Sequence, residues 1–156
     1  MLHLIPAPLH RLALRIAYVL RNHLRKATGK ARDGVTIVAH DLQGQVLLVR
    51  HSYGPKQWFL PGGGIGNGEE PEAAARRELL EETGCEVERL RFVNAGETRV
   101  SGVLHRGHIF EGVVQDMPVA DGREIVEARF FPLHSLPEPL NAFTRSDLDQ
   151  WVAKRA

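Results

Sequence analysis

The sequence lacks several features that would each define a class of protein. Its single cysteine, Cys85, excludes an intrachain disulfide and a zinc site built from several cysteines. No apolar run reaches the roughly 18–20 residues that a membrane-spanning helix needs. The eight histidines show no H-x-x-x-H or H-x-H metal spacing. With 156 residues, 43% of them hydrophobic and 25% charged, the chain fits one globular domain.

Acidic residues are absent from the first 32 positions, which hold seven of the 20 basic residues and none of the 19 acidic ones. These basic residues are Arg11, Arg15, Arg21, Arg25, Lys26, Lys30 and Arg32. The remaining chain therefore carries 13 basic and 19 acidic residues, a net charge of −6. Because a nucleic-acid-binding domain would lean basic, we expect no nucleic-acid partner and a site that collects cations.

The segment Leu9–Lys26 is predicted to be a helix, because apolar residues recur at spacings of three and four. These are Leu9, Leu12, Ala13, Ile16, Leu20 and Leu24. We expect its apolar face to be buried on the domain or on a second subunit of a homodimer. The alternative is a basic helix on an anionic membrane, and we consider a membrane partner less favoured. Arg11 and Arg15 make the segment a poor signal peptide, so we expect a cytoplasmic protein with residues 1–32 as a basic amphipathic extension and 33–156 as the main domain.

The rest of the chain mixes strands and helices. A β-hairpin is predicted over Gly34–His40 and Gln45–His51, followed by a loop that ends in a glycine cluster. A helix is predicted over Pro71–Thr83, with Pro71 in its first turn and Gly84 as its stop. Further strands are expected at Glu86–Val93, Gly96–Val100, Val103–Gln115 and Glu127–Phe131, and a last helix at Arg145–Lys154 with a capping box of Thr144 and Asp147. This order predicts an α+β fold, a mixed α/β/α sandwich.

Three carboxylates share one face of the Pro71–Thr83 helix, because Glu78, Glu81 and Glu82 stand at i, i+3 and i+4. Like charges so placed repel by a few tenths of a kcal/mol per pair, and a bound divalent cation would offset that repulsion. The loop before the helix contains five glycines within seven residues, at positions 62, 63, 64, 66 and 68. Such a loop can bring backbone groups close to a metal or a phosphate. Mg²⁺ prefers oxygen ligands and accepts substrate phosphate oxygens.

The segment Gly63–Cys85 resembles the Nudix box, G-x5-E-x7-R-E-U-x-E-E-x-G-U, in which U is a bulky apolar residue. All seven fixed letters are present: Gly63, Glu69, Arg77, Glu78, Glu81, Glu82 and Gly84. Leu79 fits the first U position, and Cys85, which packs as a small hydrophobe, fits the second. The flanking pattern also resembles the Nudix family from about Asp33 onward.

The resemblance implies a sandwich of the Nudix type and an enzyme that cuts a diphosphate bond in a nucleoside diphosphate linked to another group, with Mg²⁺ or Mn²⁺. Carried over by position, the metal ligands would be Glu78, Glu81, Glu82 and the carbonyl of Gly62. Glu78 is a candidate base, and catalysis would also involve Glu82 and Arg77, with Arg77 orienting the carboxylates. The remaining fixed residues, Gly63, Glu69 and Gly84, would support the loop and helix.

Residues outside the box would choose the substrate. The resemblance implies an additional acid after the box, for which Glu124 and Glu127 are candidates. Arg50, Lys56, Arg99 and Arg106 could contact phosphates, and Trp58, Phe59 or Phe110 could stack on a base. Both tyrosines, Tyr18 and Tyr53, precede the box, which argues against a dinucleoside polyphosphate hydrolase that uses a downstream tyrosine.

Two functions remain open. The first is hydrolysis of an ADP-ribose-like compound, a nucleotide sugar or a (d)NTP, with a small nucleotide as the partner. The second is a Nudix-fold binding or sensor module without turnover. Retention of every box carboxylate favours the enzyme.

Overall fold

The computed structural model describes residues 5–28, 31–100 and 102–156, with side chains described outside 21–28. Three α-helices in this part of the chain are α1 (Ala7–Thr28), α2 (Pro71–Thr83) and α3 (Ala142–Arg155). Six strands accompany them: β1 (Arg32–His40), β2 (Val46–His51), β3 (Gly62–Gly64), β4 (Glu88–Val100), β5 (Val103–Val113) and β6 (Ile125–Phe131). A short 3-10 helix covers Leu133–Ser135. The predicted α+β class is confirmed.

The six strands form one mixed sheet in the order β4-β5-β1-β2-β6, with the short β3 paired to β1. Strand β1 runs parallel to β5 and antiparallel to β2 and β3. Because β1 lies at the centre, its neighbour β3 brings the glycine loop onto the middle of the sheet.

The two faces of the sheet carry separate hydrophobic cores, because successive side chains of a strand point to opposite faces. On one face, Ile37 of β1 packs with Ala75 and Leu79 of α2. On the other face, Val38 packs with Leu148 and Trp151 of α3. All six side chains are at most 3% exposed, so the sheet lies between two helices as the sandwich prediction requires.

Several predicted boundaries were wrong. The two strands expected before residue 100 are the single strand β4, whose pairing with β5 shifts register near Glu88 and again near Asn94. Strand β6 begins at Ile125 rather than Glu127. Helix α3 begins three residues early because Asn141 is its N-cap, with its side-chain oxygen accepting from the amides of Phe143 and Thr144. The predicted capping box is therefore wrong.

Helix α1 packs on the domain through polar side chains. Arg11 Nε donates to the carbonyl of Gly122 at 2.7 Å, and Arg15 Nε donates to that of Ser52 at 3.1 Å. Tyr18 packs on Tyr53, with ring centroids 5.4 Å apart.

The apolar side of α1 lies outward. Leu9, Leu12, Ile16 and Leu20 are 52–62% exposed, so this face does not pack on the domain, and its burial on a second subunit stays a prediction. The hydrogen bonds from Arg11 and Arg15 to backbone carbonyls hold α1 with its arginine side toward the domain. The predicted stop at Gly29 lies outside the described residues. None of the helices described is both long and apolar enough to cross a bilayer.

Candidate active site

At Gly62 and Gly63 the glycine loop passes so close to its neighbours that an added Cβ would clash. In the pairing of β3 with β1, Gly62 lies opposite Thr36 and Gly63 opposite Val35. A Cβ on Gly63 would lie 2.5 Å from the carboxyl carbon of Glu78. Such a separation is well inside van der Waals contact, so only glycine lets the loop approach this carboxylate.

Helix α2 begins and ends as the sequence predicts. Pro71 occupies the first turn, and Gly84 adopts the left-handed conformation with φ +70° while its amide donates to the carbonyl of Leu80. Its inner end carries Glu82, which is only 5% exposed. The Glu82 Oε2 atom accepts a hydrogen bond from the amide of Gly62 at 3.0 Å. The loop and the helix are thus joined at a buried carboxylate.

Arg77 connects the remaining box residues. Its guanidinium forms a bidentate pair with Glu69, at 2.7 and 2.9 Å. The same group donates to Glu78 Oε1 at 2.8 Å, to Glu81 Oε2 at 3.3 Å and to the carbonyl of Gly64 at 3.0 Å. Hydrogen bonds from Arg77, and a further one from a backbone amide in the loop, lower the pKa of Glu69 to about 2. Arg77 therefore sets the position of the loop and of three box carboxylates together.

Burial and, to a smaller extent, neighbouring carboxylates raise the pKa of Glu82 and Glu78. Burial raises the pKa of Glu82 well above its usual value, and the charges of Glu78, Glu124 and Glu81 add to the shift. Burial also raises the pKa of Glu78, with smaller contributions from Glu81 and Glu124. Bringing these charges together is costly unless a cation or protons compensate them.

Glu124 joins the box carboxylates, whereas Glu127 does not. Tyr53 donates its hydroxyl to Glu124 Oε1 at 2.6 Å, and the amide of Ser52 donates to the carbonyl of Glu124 at 2.8 Å. Glu127 lies on β6 and pairs with Arg50 on β2. Sequence reasoning could not separate the two, because their distance from the box depends on how the loop before β6 folds back on β2.

His51 is a residue of this site that sequence reasoning missed. Its Nε2 atom lies 3.9 Å from Glu82 Oε1, and its ring packs on Tyr53 and Phe59. Burial lowers its pKa, while the charge of Glu124 opposes that shift. Its buried Nδ1 has no hydrogen-bond partner among the described residues. The sequence offered only one indication of His51, its place at the end of a predicted strand, and that place does not distinguish it from many other residues.

A divalent cation fits the chemistry of this donor set. Within the described residues, no three acidic, histidine or cysteine side chains are arranged as a group that could hold a metal ion by themselves. Mg²⁺ does not need one, because it retains several waters and takes phosphate oxygens as ligands. The buried oxygen of Glu82 and the neighbouring Glu78 carboxylate are hard oxygen donors, and a cation would relieve the repulsion that raises their pKa.

Three of the substrate-contact candidates, Trp58, Arg50 and Arg106, have different surroundings in the structure. Trp58 is 5% exposed and packs edge-on against Phe131 within the core, a position that favours a packing role. Arg50 lies over the Trp58 ring, 5.3 Å from its centroid. Arg106, on β5, pairs with Glu97 at 3.0 Å and lies 3.7 Å from Asp33.

Comparison with known proteins gives matches throughout the domain. A family model described as the NUDIX domain matches residues 30–152. An RNA pyrophosphohydrolase of Rhodospirillum rubrum is 47% identical over 53 residues, which cover 34% of this chain and 32% of that protein. That of Proteus mirabilis is 53% identical over 53 residues, covering 34% and 30%. The chain therefore spans about a third of the length of these curated relatives.

Solved structures resemble the whole domain. A MutT Nudix hydrolase from Burkholderia pseudomallei is 26% identical, with a TM-score of 0.70, covering 77% of this chain and 97% of that one. The Nudix domain of Shewanella oneidensis NrtR, complexed with ADP ribose, is 22% identical, with a TM-score of 0.72, covering 90% and 98%. The second likeness shows the fold alone.

Proposed function

Because the chain belongs to the Nudix family, whose domain model covers residues 30–152, we propose that it hydrolyses a diphosphate bond in a nucleotide-linked substrate with Mg²⁺ or Mn²⁺. One observation supports this most strongly: a buried Glu82, held by the amide of Gly62, lies within electrostatic reach of Glu78, Glu81 and Glu124. Four acids so placed are costly for a structural role alone and suit a site for a cation and a polyphosphate.

The metal would be held by Glu78, Glu81 and Glu82, with the carbonyl of Gly62 as a further oxygen donor. When bound, it would neutralise charge on the phosphate oxygens and lower the pKa of a ligated water. In this proposal Glu82 is the innermost ligand, since its burial and its hydrogen bond restrict its motion. Glu81 is exposed and would complete the ligand set from the solvent side.

The proton of the attacking water would pass to Glu78. Burial raises the pKa of this carboxyl, and a base becomes more effective as its pKa approaches the working pH. Arg77 donates to Glu78 Oε1, which leaves Oε2 to accept the proton. Glu124 is the alternative base, because it borders the same cluster and is oriented by Tyr53.

The substrate is open between ADP-ribose-like compounds, nucleotide sugars and (d)NTPs. The name of the relatives, RNA pyrophosphohydrolase, adds an RNA end that carries a phosphoanhydride, although the acidic domain led us to expect no nucleic acid. A binding or sensor module without turnover is the second candidate. It is less favoured because this chain keeps every box carboxylate.

The test is hydrolysis of a panel containing ADP-ribose, nucleotide sugars, (d)NTPs and a 5′-triphosphorylated RNA, with and without Mg²⁺ or Mn²⁺. We expect cleavage of at least one member only with metal, and a loss of at least ~100-fold in Glu82→Gln. Glu72→Gln is the matched control, because Glu72 is exposed on the same helix and pairs with Arg76.

Thermal unfolding provides a readout that does not depend on activity. Metal should raise the unfolding midpoint of the wild type and of Glu72→Gln, but not of Glu82→Gln, because a ligand stabilises the state that binds it. An active Glu82→Gln variant would refute the metal assignment. Binding of the panel without any cleavage would favour the sensor function.

A further inference from the structure

A cavity of about 630 Å³ lies between α1 and the end of β2. This volume is within the range of roughly 300–1,000 Å³ typical of small-molecule sites. Four cationic side chains line it: Arg11, Arg15, Arg50 and Lys56. Two of them belong to α1, which precedes the segment matched by the family model. We call this space the basic cavity.

The basic cavity adjoins the acidic cluster through three consecutive residues. His51, Ser52 and Tyr53 all line the cavity. On the other side, His51 lies 3.9 Å from Glu82, and both Ser52 and Tyr53 donate hydrogen bonds to Glu124. A substrate whose diphosphate lies at the box carboxylates can therefore extend directly into the basic cavity.

Two buried polar atoms in the cavity wall lack a hydrogen-bond partner among the described residues. Ser52 is 9% exposed, and its hydroxyl has no hydrogen-bond partner among the described residues. The buried Nε of Arg50, another lining residue, has none there either. Since buried polar atoms are normally paired, these two atoms point to a ligand with oxygen acceptors.

Helix α1 forms one wall of the cavity. Arg11 and Arg15 use Nε to hold the helix on the domain, so their side chains pass along the cavity wall. Tyr18 closes one side by packing on Tyr53 and against Gly54, where an added Cβ would meet the Tyr18 ring at 3.2 Å. The helix exposes its apolar side and places its cationic side toward the domain.

We propose that the basic cavity binds a phosphate-bearing part of the substrate beyond the diphosphate that is cleaved, with Arg15 and Lys56 as the main contacts. Guanidinium groups bind phosphate in a planar, bidentate manner, and lysine contributes a point charge. The inference rests on the proposed function for the position of the diphosphate. It specifies a preference for substrates with an additional phosphate over those whose distal group is uncharged.

The binding test uses the full chain and inorganic tripolyphosphate, with all metal chelated, in a calorimetric titration. We expect Lys56→Ala and Arg15→Ala each to weaken binding by ~10-fold or more, the loss typical of a charged hydrogen bond. Arg15→Lys should bind with intermediate affinity. Arg145→Ala, which removes a surface arginine paired with Glu138, is the control and should bind as the wild type.

Lys56→Ala separates lost phosphate contact from displacement of α1, because it keeps both hydrogen bonds that hold α1 on the domain. Equal affinity in Lys56→Ala, Arg15→Ala and the wild type would overturn the proposal, as would a wild type that does not bind tripolyphosphate.

Kinetics separate this proposal from the proposed function. With a triphosphate substrate, Lys56→Ala should raise KM by ~10-fold with little change in kcat, the pattern of lost ground-state binding. The KM for a substrate with an uncharged distal group should change little. If Lys56→Ala and Arg15→Ala both hydrolyse the substrate with unchanged KM, the proposal of phosphate binding in the basic cavity is refuted and the proposed activity is not. Variant-sensitive binding without any hydrolysis supports the cavity and refutes the activity.

Discussion

Gly63 lies against the carboxylate of Glu78, where an added Cβ would be 2.5 Å from the carboxyl carbon. Gly63→Ala should therefore displace Glu78 and reduce kcat by ~100-fold or more, in the range of a lost general base. Gly64→Ala is the matched control, because a Cβ there meets nothing within 4 Å. Steady-state kinetics of both variants are the measurement. Equal activities would show that the position of Glu78 does not depend on this contact.

The pair of Arg77 and Glu69 should act as one unit. Arg77→Lys keeps the charge but loses the bidentate geometry, and Glu69→Gln weakens the same pair. We expect each to reduce kcat by ~10–100-fold and the double variant to lose little more, with a coupling of about 0.5–3 kcal/mol. Arg76→Lys, whose partner Glu72 is exposed, should have little effect. Additive losses in the double variant would contradict the prediction.

Glu124 and Glu127 should differ sharply despite their closeness in the sequence. Only Glu124 acts electrostatically on Glu78 and Glu82. We expect Glu124→Gln to reduce kcat by ~10-fold or more and Glu127→Gln to leave it within ~2-fold, because the latter loses an ion pair whose side chains are 35–37% exposed. The rates of both variants with saturating metal check this. A larger loss of kcat in Glu127→Gln than in Glu124→Gln would show that the additional acid is Glu127 on β6.

Asp147 should make stability depend on pH. Burial raises its pKa from 3.8 to about 6, so the folded protein holds this proton more tightly than the unfolded chain. The contribution of this raised pKa to the free energy of unfolding is complete below about pH 4 and is lost as the pH rises through about 6. Asp147→Asn should therefore be about 1–3 kcal/mol more stable than the wild type at pH 8, with the gain shrinking at pH 4.5.

Urea unfolding at both pH values measures this difference. Asp149→Asn, an exposed position on the same helix, should show no such dependence. A constant difference between Asp147→Asn and the wild type would mean that burial does not perturb this carboxyl.

The predicted elements differ in accuracy according to how local their signals are. Helix α2 was located to the residue, because Pro71 and Gly84 act within one turn of its ends. Helix α3 was placed three residues late, because Thr144 does not cap it. The hydroxyl of Thr144 instead accepts from the amide of Leu60, 84 positions away, and no local pattern reveals that contact.

The sequence by itself determined the family, the α+β class and the common helical face of Glu78, Glu81 and Glu82, since all three follow from local spacing. Only the tertiary structure decided which further residues lie beside that face. It places Glu124 and His51 beside that face. It also buries Trp58 in the core and orients α1 with its arginines toward the domain. These relations join residues far apart in the chain, and their energies depend on burial and on contacts that exist only after folding.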